Sequence, residues 1–214
     1  MKTLFIEAKN KNLPEISGLS GLPDKIGLLY TVQYRQLFEK IKADLENNGK
    51  RVFVGKSSLT DGQIIGCNIK SALAIEGKVD CFLLVSSGKF HALSLAMNTG
   101  LPIYIIGAGK IEQIPEKDIE ILKKKRKAAI SKFLAADKIG IIVSTKQGQN
   151  NLKVALDIKK KIKSSFIFIS DTINIRELEN FKIDSWLNTA CPGIAFDASN
   201  IINLSDYQKI QAQR

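Results

Sequence analysis

Short, unbroken apolar runs recur along this chain, and amphipathic stretches separate them. Residues 3–8, 26–31, 51–55, 79–86, 102–107, 139–145, 166–170 and 185–190 have the length and the β-branched or aromatic content of buried strands. Helical periodicity occupies 33–48, 68–76, 91–98, 116–136, 150–163 and 175–181. A strand that is apolar on both faces has to be covered on both, and helices alternating with such strands cover them. The pattern therefore specifies an α/β architecture with parallel sheets flanked by helices. No run is long enough to cross a bilayer. The opening residues lack the apolar segment and small-residue cleavage site of a secretory signal. A cytoplasmic protein without membrane association is expected.

With 214 residues the chain can build two small cores, and the long charged helix at 116–136 reads as the connector between them. The boundary is placed near Pro115. The two halves rhyme. Lys25-Ile26-Gly27-Leu28-Leu29 matches Lys138-Ile139-Gly140-Ile141-Ile142, and each strand ends in a threonine, Thr31 or Thr145. A glutamine-containing loop, a Lys-rich helix and, later, a cysteine follow in both, Cys67 in one and Cys191 in the other. Two similar domains are expected. Ligands of open parallel sheets bind beyond the carboxyl ends of the strands, so chemistry is sought in the loops there.

The formal net charge of +11 raises the question of a nucleic-acid partner. The surplus is lysine spread over helix faces, and the run 123–127 sits inside the connecting helix. There Ile119, Leu122, Ile130, Phe133 and Leu134 can share one side and leave the lysines in water. A solvated face accounts for the charge, and no direct nucleic-acid contact is expected.

Three cysteines in a reducing compartment do not make a disulfide framework. With no Cys-x-x-Cys pair and no cysteine near the single histidine, a zinc site from this chain alone is not expected either. Cys67 lies in a glycine-flanked turn leading into a helical stretch, where a thiol is a better metal ligand or nucleophile; a small buried residue is the other reading. Cys191 follows a strand in Ala190-Cys191-Pro192-Gly193, a turn at a sheet edge, with the same two readings. Cys81 stands among Phe82, Leu83, Leu84 and Val85 and reads as core. Ser86, Gly88 and His91 open a helix after a strand, where backbone N–H groups can hold an anionic group. His91 serves there as an acid–base group or as a first-turn hydrogen-bond donor. Gln147, Gly148 and Gln149 fill the corresponding loop of the second half, as a neutral ligand-binding loop or a polar turn before the helix at Asn150.

Taken in order, these fragments resemble one family. Residues 62–72 (GQIIGCNIKSA) are similar to the cysteine loop of the middle domain of 2-(3-amino-3-carboxypropyl)histidine synthases, which begin diphthamide synthesis. Residues 86–96 (SSGKFHALSLA) with Leu101-Pro102-Ile103-Tyr104 resemble that domain's helix entry and next strand. Residues 140–150 (GIIVSTKQGQN) and 186–197 (WLNTACPGIAFD) resemble the first strand and the Ala-Cys-Pro segment of the last domain. The likeness spans most of 25–206.

The resemblance implies three similar α/β domains, each giving one cysteine to a 4Fe–4S cluster whose fourth iron takes S-adenosylmethionine. It implies transfer of a 3-amino-3-carboxypropyl fragment, by radical chemistry, to a histidine of elongation factor 2. Carried over, Cys67 is the middle-domain ligand and Cys191 the last-domain ligand, while Cys81 matches neither. Ser86, Gly88, His91, Gln147, Gly148 and Gln149 become candidates for binding S-adenosylmethionine. The resemblance divides the chain into 1–24, a remnant strand of the first domain with its linker; 25–115, the middle domain; and 116–214, the last domain with the connecting helix. Most of the first domain, with its cysteine, is lacking, and residues 3–10 (TLFIEAKN) resemble its last strand. A separate polypeptide supplying that domain, in a dimeric assembly, is the expectation. The alternatives are a non-catalytic subunit or scaffold, and a shortened homologue with a different third ligand. The residues read without the family also leave open a small-molecule-binding α/β protein without iron.

Overall fold

The structure, a computed structural model, describes residues 10, 16–57, 60–66, 68–107, 109–196 and 198–213. The expected strand at 3–8 and Cys67 lie outside the described residues. The chain forms two compact units, Met1–Ile119 and Glu120–Arg214.

In the first unit β1 (Lys25–Tyr30), α1 (Arg35–Asn47), β2 (Arg51–Phe53), α2 (Lys70–Leu73), β3 (Cys81–Val85), α3 (Lys89–Asn98), β4 (Ile103–Gly107) and β5 (Lys110–Gln113) follow in sequence. The sheet order is β2-β1-β3-β4-β5, parallel except for β5, which pairs antiparallel with β4. Strand alternation sends residues to two cores. Ile26, Leu28, Tyr30, Cys81, Leu83 and Val85 pack with Leu37, Phe38, Ile41 and Leu45 of α1. Leu29, Phe82, Leu84, Ile103 and Ile105 meet Ala72 of α2 and Ala92, Leu95 and Ala96 of α3. Each fully buried Leu or Ile contributes about 2 kcal/mol by leaving water, so both faces drive the sheet's burial.

The second unit takes over within α4 (Glu116–Leu134) and continues through β6 (Ile139–Ser144), α5 (Leu152–Lys161), β7 (Ser165–Ser170), α6 (Ile175–Leu178), β8 (Ser185–Asn188), β9 (Ile201–Asn203) and α7 (Leu204–Ala212). Its sheet is wholly parallel, in the order β7-β6-β8-β9. Ile139, Ile141, Val143 and Leu187 pack with Ala129 and Phe133 of α4, Ala155 and Ile158 of α5, and Tyr207 of α7. Trp186, Ile142 and Ile201 form the opposite core with Phe168 and Leu178.

Numbered from the start of each unit, both sheets run second-first-third-fourth strand, and the rhyme has a physical basis. Gly27 faces Phe82 across β1 and β3, and Gly140 faces Trp186 across β6 and β8. A Cβ at Gly27 would stand 2.6 Å from the Phe82 ring, and one at Gly140 would stand 2.2 Å from the Trp186 ring. Only glycine lets each ring lie flat against the neighbouring strand. The strand entries match as well. Lys25 N–H donates to the Asp80 carboxylate and Asp80 N–H to Lys25 O, as Lys138 N–H and Asp184 do in the second unit.

The α/β fold with parallel sheets and flanking helices is present, two local expectations are corrected, and three elements are found that were not expected. The helix expected at 68–76 is the single turn α2 and a separate 3-10 turn, Glu76–Lys78; Ile69, Ala72 and Ile75 still reach the core, because a spacing of three suits tight turns. Strand β5 went unforeseen because Ile111 is its one apolar residue. Strand β9 is only three residues long, and α7 directly after it was missed too. Leu134 does not join the buried side of α4, being 53% exposed, whereas Ala129 does. Among the described residues, no helix is long and apolar enough to cross a membrane.

Candidate functional site

In each sheet the first strand lies between the second and third. The connections after the first and third strands go to opposite faces, α1 or α5 on one and α3 or the Pro192–Phe196 turn on the other, which marks a crevice at the carboxyl ends between them. In the second unit that point lies between β6 and β8. Cys191 follows β8 there, half-buried, at the start of the 3-10 turn Pro192–Phe196. Its carbonyl accepts hydrogen bonds from Asn188 Nδ2 (2.8 Å) and Ile194 N–H (3.1 Å). Asn188 Oδ1 accepts from Ala190 N–H at 3.0 Å. Asn203, the β-partner of Asn188, donates Nδ2 to Pro192 O at 3.1 Å and accepts from Asn188 Nδ2 at 2.8 Å. Just before the cysteine, Thr189 is pinned to β6 by its N–H and hydroxyl, both donating to Ile142 O, at 3.0 and 2.7 Å.

The loop after β6 reaches the same place. Gln147 is exposed, Gly148 takes a φ of +79°, and Gln149 is half-buried with its N–H on Lys146 O. Asn150 Oδ1 caps Leu152 N–H at 3.2 Å, and Asn151 Nδ2 donates to Thr189 O at 2.6 Å. The glutamine loop and the Cys191 turn are thus one local structure.

In the first unit Ser86 is buried at the end of β3, and its hydroxyl turns toward Gly88. Gly88 precedes α3 in extended conformation, and the helix opens at Lys89, two residues before the expected start. His91, half-buried in the first turn, lies edge-on to Phe90 with centroids 5.3 Å apart. Burial lowers its pKa from the ordinary value of 6.5, which keeps the imidazole neutral at pH 7. These groups lie at the carboxyl end of β3, as expected, and belong to a different unit from Cys191.

The residues flanking Cys67 also reach the carboxyl end of β1. Tyr30 N–H donates to Gly62 O at 3.0 Å and Ile64 N–H to Tyr30 O at 2.9 Å. Ile65 and Asn68 bridge each other, with Gly66 at φ +54°. The helix after Asn68, α2, is one turn long.

Cys81 is fully buried opposite Ile26 in β3. Burial first, then the charge of Asp80, pushes its thiol up to about 12, so it stays protonated at neutral pH. Among the described residues no group of three or more His, Cys, Asp or Glu stands together as a metal site. Cys191, a half-buried thiol on a fixed backbone at the strand end, suits an iron–sulfur cluster. Sequence reasoning missed Asn151, Asn188 and Asn203. The one signal available was an asparagine inside a core strand, where it is a poor strand former.

Residues 5–209 match the family described as "Putative diphthamide synthesis protein". The 2-(3-amino-3-carboxypropyl)histidine synthase of Pyrococcus horikoshii is 31% identical over 199 residues, which are 90% of this chain and 56% of that protein. Subunit 1 of the synthase from Gibberella zeae is 27% identical over 180 residues, 80% of this chain and 39% of that protein. The chain spans about half the length of the curated relatives it matches. The crystal structure of Dph2 from Pyrococcus horikoshii with a 4Fe-4S cluster superposes with a TM-score of 0.79 at 28% identity, covering 92% of this chain and 59% of that one. Matched along nearly its whole length in sequence and in fold, the chain belongs to the diphthamide synthesis protein family.

Proposed function

We propose that this chain is the two-unit part of a 4Fe–4S, S-adenosylmethionine-dependent transferase that moves a 3-amino-3-carboxypropyl group to a histidine of elongation factor 2. The observation that carries the reading is Cys191, held half-exposed at the carboxyl end of β8 in a fold whose solved relative carries a 4Fe-4S cluster. Cys191 and Cys67 are the two thiolates this chain gives, and the third comes from a separate polypeptide bearing the first domain, in a dimeric assembly. When bound, the cluster supplies the electron that cleaves the sulfonium. The loops Ser86–His91 and Gln147–Gln149 are each a candidate for binding S-adenosylmethionine; in the first, the α3 N-terminus offers backbone N–H groups to an anionic group. Residues 3–8 dock on the separate first domain by strand addition.

Anaerobic reconstitution with iron and sulfide tests the ligand set. Cys191→Ala and Cys67→Ala lose the broad visible absorption of the cluster, and Cys81→Ala keeps it; the reverse pattern refutes the assignment. Transfer to elongation factor 2 is expected only when the chain is mixed with the first-domain polypeptide, because two thiolates leave a cluster under-coordinated. Turnover by the chain alone refutes the split. Deleting residues 1–10 weakens association with that polypeptide while the rest stays folded, and equal affinity refutes the docking role.

One rival is favoured by the donor set. A chain with two available thiols also serves as a scaffold that binds partner and substrate while a full cluster sits elsewhere. In that case Cys191→Ala in the assembled enzyme leaves the iron content unchanged.

A further inference from the structure

Three carbonyl oxygens of the Cys191 turn each accept a hydrogen bond from an asparagine side chain. Asn151 Nδ2 reaches Thr189 O (2.6 Å), Asn188 Nδ2 reaches Cys191 O (2.8 Å) and Asn203 Nδ2 reaches Pro192 O (3.1 Å). They come from three places: the loop before α5, β8 itself, and β9. Asn188 is 1% exposed, a costly position for an amide unless its groups are paired, and its pairing is spent on this turn and on Asn203. Asn203 is fixed in turn, for its N–H donates to Asp206 Oδ2 at 3.0 Å, and the buried Asp206 takes Arg126 Nε at 2.6 Å. A peptide held on both sides of a residue has little freedom in φ and ψ, and so sets where that residue's Cβ points and which χ1 rotamers are open to its Sγ.

We propose that Asn151, Asn188 and Asn203 are positioning residues whose side-chain amides fix the Cys191 turn and so aim its thiol. The role they would serve in the enzyme rests on the reading of Cys191 as a cluster ligand. The amides themselves touch neither the sulfur nor a substrate. Ligand geometry at an iron–sulfur site depends on such supporting bonds, since a thiolate displaced by an ångström no longer shares the cluster with its partners.

The test uses the full chain and Asn203→Asp, which keeps the side-chain shape and the acceptor facing Asn188 but removes the donor to Pro192 O. Asn151→Asp is the second variant, should the first fail to fold. Iodoacetamide labelling of the metal-free chain is followed at each cysteine by mass spectrometry. The expected result is a three-fold or greater rise in the Cys191 rate with the Cys81 rate unchanged. Cys81 belongs to the first unit, so loosening of the second is read from its own core: a Cys191 rate that rises only in proportion to a lowered urea midpoint of Trp186 fluorescence reports general loosening and overturns the proposal, as does a Cys191 rate at or below the unsubstituted one. After anaerobic reconstitution, the variant is expected to hold at most half the iron of the unsubstituted chain, or to show altered electron paramagnetic resonance g-values. Cys191→Ala separates the two ideas. If it keeps full iron, the ligand reading fails and the labelling rates still decide on the amides. If it loses iron while Asn203→Asp keeps both iron content and g-values, the ligand reading stands and the positioning role falls.

Discussion

The two units share a strand order, an aspartate clasp at the entry of the third strand and a glycine under an aromatic ring, yet their strand ends differ in chemistry. Aligned on Asp80 and Asp184, Phe82 corresponds to Trp186, Cys81 to Ser185, and Ser87 to Cys191. The thiol is therefore deep inside the third strand of one unit and at the open end of that strand in the other. Cys67 lies between the second and third strands, so it and Cys191 are not equivalent positions of the repeat, although each follows a similar opening in sequence. The two cysteines proposed as ligands thus fall at different points of the repeat, as expected where a sheet core is held and the loops are free to vary.

The sharpest way to break the equivalence is at the paired glycines. Gly140→Ala puts a methyl into the Trp186 ring, which Phe168 and Phe181 already brace from 4.7 and 6.3 Å. A loss of about 3 kcal/mol is expected in the second unit, the upper end of overpacking costs. Trp186 is the one tryptophan in the chain, so its fluorescence in urea follows this unit alone. Gly27→Ala, against the smaller Phe82 ring, costs less, about 2 kcal/mol, seen by circular dichroism with the fluorescence transition unmoved. If Gly27→Ala proves the more damaging, the two contacts are not the same device.

A second contrast concerns charge. In the second unit Asp206, 3% exposed, pairs with Arg126, whereas the pair between Lys50 and Asp24 of the first unit has Asp24 largely in water. Arg126→Ala strands a buried carboxylate and should cost about 2 kcal/mol, below the usual range for fully buried pairs because Arg126 is partly exposed. Asp24→Ala should cost less than about 0.5 kcal/mol. Comparable losses in urea titrations of the two variants would remove the distinction.

The smallest effect is a pH slope confined to one unit. The only histidine, His91, has its folded pKa lowered by burial. As pH falls through 6.5, the unfolded chain takes up a proton that the folded chain refuses, so stability declines toward acid. His91→Gln should flatten the slope of the first unit between about pH 7 and 5 and leave that of the second unchanged. A slope unaltered by the substitution assigns it to other groups.

How far the sequence could be read follows from the range of each interaction. Runs such as residues 139–145 announce strands because their burial is a property of neighbours in sequence. The Lys-Ile-Gly rhyme was legible too, but its cause was not, since the rings that demand Gly27 and Gly140 sit on strands set opposite by register. Strand β5 was illegible because its ladder to β4, not its single Ile111, makes it a strand. At the candidate site, the turn at Cys191 was visible from its proline and glycine. The asparagines that hold it were not, because Asn151 bonds a carbonyl 38 residues away and Asn203 bonds one 11 residues back across the sheet.

A glycine pressed under a ring also governs the order in which substitutions can accumulate. A side chain at Gly27 or Gly140 costs about 2–3 kcal/mol while Phe82 or Trp186 is in place, and less once the ring has given way to a smaller residue. The two positions of each pair are therefore coupled, and a change at one alters the cost of a change at the other. Descendants of this chain that have lost the ring are the ones in which the glycine is free to go.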